Sequence, residues 1–234
     1  MDREERAASP VWAETRVVYP DGREEARETA VLAEHRLELT LNGEAWKQVV
    51  CTRGDLNAMV VGQLYTAGRI SSPADILELR FSPEEDRADI RLSPAAGQRR
   101  SPEGRLNAAH WERSWVFRLA ARLQEGMPLH RETYAAHSAF LACGGTLLYA
   151  GEDVSRHNAV DKAIGHGLLA GADLSRCMLF TTGRVPADMA EKAIAAGIPV
   201  LVSKSAPTLD AVRLAAEKGL TLICSAREDS FTVF

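Results

Sequence analysis

Residues 151–165, GEDVSRHNAVDKAIG, gather Glu152, Asp153, Arg156, His157, Asn158, Asp161 and Lys162 into one short stretch. A solvated helix face spreads its charges along i, i+4 rows and has no reason to bunch them ahead of a cap. The hydropathy pattern predicts a strand over LLYAGED and a helix over AVDKAIGHGLL, with Val160, Ile164 and Leu168 as its buried stripe. Asn158 then stands as the N-cap, with Asp161 three residues on in the favoured acidic position. Arg156 and His157 fall just before that start, facing whatever the helix terminus binds. Arg156, His157, Asn158 and Lys162 are therefore candidate ligand contacts. A weaker reading makes His157 the partner of Asp153 or Asp161 in an acid–base pair of a nucleotide hydrolase.

The last third of the chain supplies a second set of candidates. CMLFTTG, IPVLVS and LTLICS read as strands, separated by the helices PADMAEKAIAAG and PTLDAVRLAAEKG, each closed by a glycine. Strand–helix–strand repeats with short loops require right-handed crossovers and a parallel sheet. The loops after the three strands then emerge at one carboxyl edge, where open α/β sheets bind ligands. They carry Thr182, Gly183 and Arg184; Ser203, Lys204, Ser205 and Thr208; and Ser225, Ala226, Arg227, Glu228, Asp229 and Ser230. One cation per loop, with two loops running into helix N-termini, points to a phosphorylated ligand. No P-loop and no G-x-G-x-x-G is present.

These candidates need a frame to hold them. The chain has 234 residues, 46% apolar and 26% charged, enough for a self-sufficient core. A net charge of −4 gives no global reason to bind nucleic acid or an anionic membrane, so any anion site is local. The charged start, read as a loose terminus over residues 1–10, lacks an apolar h-region, and no apolar run is long enough to span a bilayer. A cytoplasmic location is expected. The four cysteines, Cys51, Cys143, Cys177 and Cys224, form no CxxC pair, and buried packing is the ordinary reading for three of them.

The N-terminal part reads as β-rich. VVYPDGREEA is a strand–turn–strand, HRLELTLNGE alternates into an Asn-Gly turn before WKQVVC, and ILELRFS and ADIRLS are further strands. GDLNAMVVGQLYTAGRI has helical spacing and stops at Gly68. Residues 93–107, SPAAGQRRSPEGRLN, read as an exposed, mobile linker ahead of the amphipathic helix WERSWVFRLAARLQE. The expected division is a β-rich part over 11–107 and an α/β part over 108–234.

Several stretches resemble one family. GEDVSRHNAVDKAIG resembles the EDVGRHNAVDK signature of the formate dehydrogenase accessory proteins of the FdhD/NarQ type. TTGRV resembles that family's SGR turn, and GIPVLVSKSAPTLDAVRLAAEKGLTLI resembles its GIPVLVSRSAPT segment. LNGE and CTRGDLNAMVVGQLYTAGRI resemble its VNGE and TPGDLEDLALGFLFTEGII, so the likeness runs from about residue 30 to the end. The resemblance implies an α/β fold with a cytidine-deaminase-like C-terminal domain and a smaller β-rich N-terminal part, in a homodimer. It also implies sulfur transfer from a cysteine desulfurase to the molybdenum bis-molybdopterin guanine dinucleotide cofactor, which then enters formate dehydrogenase. GDP is the expected mimic of that cofactor, and the family's cofactor stretch falls on Ser225 to Ser230, where Arg227 matches. The deaminase zinc pattern H-x-E with P-C-x-x-C is absent, so no zinc is expected.

The departures from the family's pattern are chemical. The family carries sulfur on a cysteine of a CGxC motif in a mobile loop, and the corresponding AAGQRRSPEGR contains no cysteine. Persulfide transfer needs a nucleophilic thiolate, and Cys143 and Cys224 are the candidates left. Ser155 replaces a glycine, and YAAH (134–137) replaces a Gly-Gly-x-His segment whose histidine His137 matches. Two roles follow: a sulfur-transferring accessory protein, or a chaperone that binds the cofactor without moving sulfur.

Overall fold

The computed structural model describes residues 10–96 and 104–234. The loose terminus expected over 1–10, Pro10 apart, and the middle of the linker expected over 93–107 lie outside the described residues. Strands β1 (Val11–Val18) and β2 (Glu24–Val31) form an antiparallel pair with Val11 opposite Val31. Strands β3 (His35–Leu41) and β4 (Glu44–Cys51) turn at Asn42-Gly43, whose φ values of 53 and 86 suit a two-residue turn with both centres left-handed. Helix α1 (Leu56–Thr66) ends at Gly68 (φ 67), whose amide donates to the Tyr65 carbonyl. Strands β5 (Ile76–Phe81) and β6 (Arg87–Leu92) complete a four-stranded sheet in the order β4-β3-β6-β5, as the alternation predicts.

Helix α2 (Arg113–Glu125) buries Val116, Leu119, Ala120 and Leu123, the apolar stripe of its amphipathic pattern. A short helix α3 (Pro128–Thr133) and strand β7 (His137–Cys143) follow, then β8 (Thr146–Asp153) and α4 (Arg156–Leu169). The expected strand–helix alternation then appears as β9 (Cys177–Thr181), α5 (Ala187–Ala195), β10 (Val200–Ser203), α6 (Leu209–Lys218) and β11 (Thr221–Cys224), with a terminal β12 (Thr232–Val233). Their sheet runs β12-β11-β10-β9-β7-β8, parallel across β9, β10 and β11 and antiparallel where β7 meets β8 and β9. The fold is mixed α/β.

Alternate residues of the sheet feed two cores. Leu179, Leu201 and Leu222 face α4, α5 and α6, in one cluster that continues through α1 to Leu37 and Leu39 of β3. Phe140, Phe180, Val202 and Ile223 face α2 on the other side. Helices α1 and α4 approach so closely that a methyl on Gly62 would meet the Asp161 carbonyl, and one on Gly165 the Ala58 carbonyl. That contact fixes the N-terminal part against the C-terminal sheet.

One local expectation fails in an instructive way. Helix α4 begins at Arg156, not after Asn158, and Ser155 holds the N-cap position without a side-chain bond. Asn158 therefore sits inside the first turn, where its amide donates to the Val50 carbonyl (2.8 Å) and to Asp153 (3.0 Å). Partners 108 residues away override the local capping preference.

Candidate functional site at the carboxyl edge

The registers place the candidate loops on one rim. His137 of β7 lies opposite Asp153 of β8, Ala139 lies opposite Thr181, and Thr181 lies opposite Ser203 of β10. Because β7 is antiparallel, its first residue reaches the edge where β8, β9, β10 and β11 end. Helices α4, α5 and α6 start from that edge too, so their unpaired N–H groups and positive dipole ends share it.

Beneath the rim lies an ion pair with almost no solvent contact. Lys162 Nζ sits 2.9 Å from Asp153 Oδ2, with side-chain exposures of 1% and 0%. The ammonium also donates to Thr52 Oγ1 (2.9 Å), the Thr52 carbonyl (3.3 Å) and the Glu152 carbonyl (2.9 Å). Asp153 in turn accepts from the Thr52 amide and hydroxyl, the Ser155 amide and the Asn158 amide group. Lys162 and Asn158, proposed from the sequence as ligand contacts, are spent on this frame, which ties β4 to the start of α4. Asp161 is equally occupied: Lys192 holds both its oxygens (2.6 and 2.8 Å), and Thr66 donates a third bond. With both carboxylates so held, neither pairs with His157, whose carboxylate neighbour is Asp188 at 3.6 Å. The hydrolase arrangement is therefore not assembled.

Above the frame a cleft of about 320 Å³ opens between His130, Tyr134, Ala135, Ala136, His137, Thr182, Lys204, Ser205 and Arg227. Glu152 fixes one wall, accepting from the Leu129 and His130 amides (2.9 and 2.8 Å) at the start of α3. The Thr182 hydroxyl is held at 3.1 Å by the Ser138 amide and lies 3.1 Å from His137 Nδ1. Arg227 donates to the Lys204 and Ala226 carbonyls, which draws the third loop against the second. Burial, then the Arg156 guanidinium and His130, hold His137 below the usual imidazole range, so it is neutral near pH 7. Burial lowers His157 likewise, against the pull of Asp188.

Arg156 lies directly behind Gly183. A methyl on that glycine would sit 2.7 Å from Arg156 Cδ, so only glycine lets the arginine stem lie flat on the loop. Its Nε is buried with no hydrogen-bond partner. Of the three loop cations, Lys204 and Arg227 line the cleft together, whereas Arg184 is exposed and outside its lining. Ser203 is buried and donates to the Gly183 carbonyl (2.6 Å), and Thr208 caps α6. Ser225 adopts φ 51, Ala226 is buried, and Glu228, Asp229 and Ser230 are exposed beyond Arg227. His130 and Tyr134 were not singled out from the sequence; the polar HRETY run after Pro128 was their only signal.

The cysteines sit apart from this cleft. Cys224 is fully buried and its thiol is pushed up to about 12 by burial alone, so it does not border an open loop as its position suggested. Cys143 ends β7 at the opposite edge of the sheet. Among the described residues no three His, Cys, Asp or Glu side chains cluster as metal ligands would, and no helix is long and apolar enough to cross a membrane.

Comparison with known proteins agrees with the motifs. The model of the FdhD/NarQ family matches residues 32–109 and 96–234. The sulfur carrier protein FdhD of Streptomyces avermitilis is 32% identical over 92% of this chain and 90% of its own length. The protein of the same name from Geobacillus kaustophilus is 29% identical over 92% of both chains. Among solved structures, a putative formate dehydrogenase accessory protein from Desulfotalea psychrophila superimposes with a TM-score of 0.84 at 26% identity, covering 97% of this chain and 96% of that one. With matched segments spanning the cleft, the buried frame and the sheet that carries both, the chain belongs to the FdhD/NarQ family.

Proposed function

We propose that this protein is a formate dehydrogenase accessory protein of the sulfur-carrier type, whose carboxyl-edge cleft holds the guanine dinucleotide end of a molybdenum bis-molybdopterin cofactor. The observation that carries the binding half is the convergence of Lys204 and Arg227 with the Thr182 and Ser205 hydroxyls around one cleft at helix N-termini. A diphosphate suits two cations set among neutral donors. Tyr134, 82% exposed on the rim in a left-handed conformation, offers a ring for a guanine face. The names of the relatives support the sulfur-carrying half and favour it over a binding-only chaperone.

Family membership also supports a homodimer, a cysteine desulfurase as sulfur donor and a cytoplasmic setting. The sheet order, with one antiparallel strand between β8 and β9, supports a cytidine-deaminase-like C-terminal domain. When bound, the cofactor would supply the molybdenum that receives sulfur. This chain's residues would grip the diphosphate through Lys204 and Arg227 and keep neutral imidazoles at His130 and His137 beside it.

Calorimetric titration with GDP tests the reading. Wild type is expected to bind, and Arg227→Ala to weaken binding by about 1–3 kcal/mol, the scale of one charge-assisted hydrogen bond. Equal affinity in the two proteins refutes this placement of the nucleotide.

A further inference from the structure

The chain has four cysteines, and three of them, Cys51, Cys177 and Cys224, are buried. Cys143 alone is partly exposed. It closes β7 just before the Gly144-Gly145 turn and lies directly opposite Cys177 in the antiparallel β7–β9 ladder. Residues so paired have Cα atoms about 4.5–5.5 Å apart, inside the roughly 4.4–6.8 Å range that a disulfide spans. The two thiols are within hydrogen-bonding reach of each other. Each also has a backbone acceptor: Cys143 Sγ donates to the Arg176 carbonyl (3.4 Å) and Cys177 Sγ to the Asp173 carbonyl (3.3 Å). One thiol is reachable and a second waits behind it.

We propose that Cys143 accepts sulfane sulfur as a persulfide and that Cys177 discharges it as hydrosulfide by closing a cross-strand disulfide. This rests on the sulfur-carrier reading and names the residues that perform it here. In the first step the Cys143 thiolate attacks the outer sulfur of a donor persulfide, R–S–SH. A Cys143–S–SH bond forms, the donor S–S bond breaks, and R–S⁻ leaves. In the second, Cys177 Sγ attacks Cys143 Sγ, the persulfide S–S bond breaks, and the outer sulfur leaves with both electrons and the Cys177 proton as HS⁻. The sulfane sulfur is reduced and the two thiols are oxidised to the disulfide, so electrons balance without a further oxidant. A dithiol reductant is required only to reopen the pair for another turnover.

The surroundings fit those roles. Burial and the neighbouring Cys143 thiol push Cys177 up to about 12, which keeps its proton until the departing sulfide takes it. The seven residues of β7 separate Cys143 from His137 by about 20 Å at the usual rise per residue. No side-chain rotation carries a persulfide that far, so sulfur bound for the cleft has to leave this pair as a small ion.

The test treats the full chain anaerobically with glutathione persulfide, alkylates at intervals, and follows intact mass, peptide maps and released sulfide. Wild type is expected to gain one sulfur on the Cys143 peptide, then to lose it as sulfide appears and a Cys143–Cys177 disulfide forms. Cys143→Ser is expected to gain none. Cys177→Ser is expected to keep the adduct, with sulfide release slowed roughly tenfold or more. Because the wild-type peptide map locates the adduct, the outcome does not depend on either variant folding. An adduct on Cys51 or Cys224, or one that survives Cys143→Ser, overturns the proposal and leaves the sulfur-carrier reading standing. No adduct on any cysteine of the wild type overturns the carrier reading itself.

Discussion

Replacing Lys162 with methionine keeps the bulk of the side chain and removes its charge. Asp153 then remains as a carboxylate with no solvent contact, and the Thr52 and Glu152 carbonyls lose their donor. Removing one partner of a buried pair costs about 3–5 kcal/mol because the other charge stays uncompensated. Four hydrogen bonds from Thr52, Ser155 and Asn158 still reach Asp153, which places the expected loss toward the lower end, about 3 kcal/mol. That is a large share of the roughly 5–15 kcal/mol by which domains are stable. Urea unfolding at pH 7, followed by circular dichroism and tryptophan fluorescence, reads the change. Adding Asp153→Asn to Lys162→Met neutralises the stranded carboxylate and is expected to restore at least half of the loss. A single-variant loss below about 1 kcal/mol, or a double variant less stable than the single, refutes the uncompensated-charge argument.

Gly165→Ala forces a methyl against the Ala58 carbonyl where α1 and α4 touch, and a loss of about 1–3 kcal/mol or more is expected in the same unfolding assay. Tyr134→Ala is expected to weaken GDP binding without changing the melting temperature, since the ring is exposed; calorimetry and a thermal scan check both halves. His137 and His157 both titrate below the unfolded imidazole value in the fold. As pH falls through the unfolded value of about 6.5, the unfolded chain takes protons that the folded chain refuses. Stability therefore declines from about pH 6.5 down to the folded values, and melting curves of His137→Gln and His157→Gln over that window are expected to fall less steeply than wild type.

The periodic elements were legible because their signals are local. Asn42-Gly43, Gly68 and the glycines closing α5 and α6 act through their own backbone, and the three strands from Cys177 to Cys224 alternate with helices too regularly to misread. Strand β7 escaped because HSAFLAC, with Ser138 to Ala142 all buried, has no alternation to mark it. Helix α3 is six residues long and is fixed by Glu152, more than twenty positions ahead. At the site, the RHNAVDK charges were recognised as exceptional but assigned to ligand contact. Separating Arg156, beside the cleft loop, from Asn158 and Lys162, inside the frame, depends on the Thr52 and Val50 contacts that only the folded chain supplies.

The position of a bound guanine nucleotide decides the matter most directly. A crystal of the protein grown with GDP is expected to show the diphosphate between Lys204 and Arg227 with the base at Tyr134. Nucleotide density elsewhere on the molecule, or an empty cleft at saturating GDP, contradicts the account.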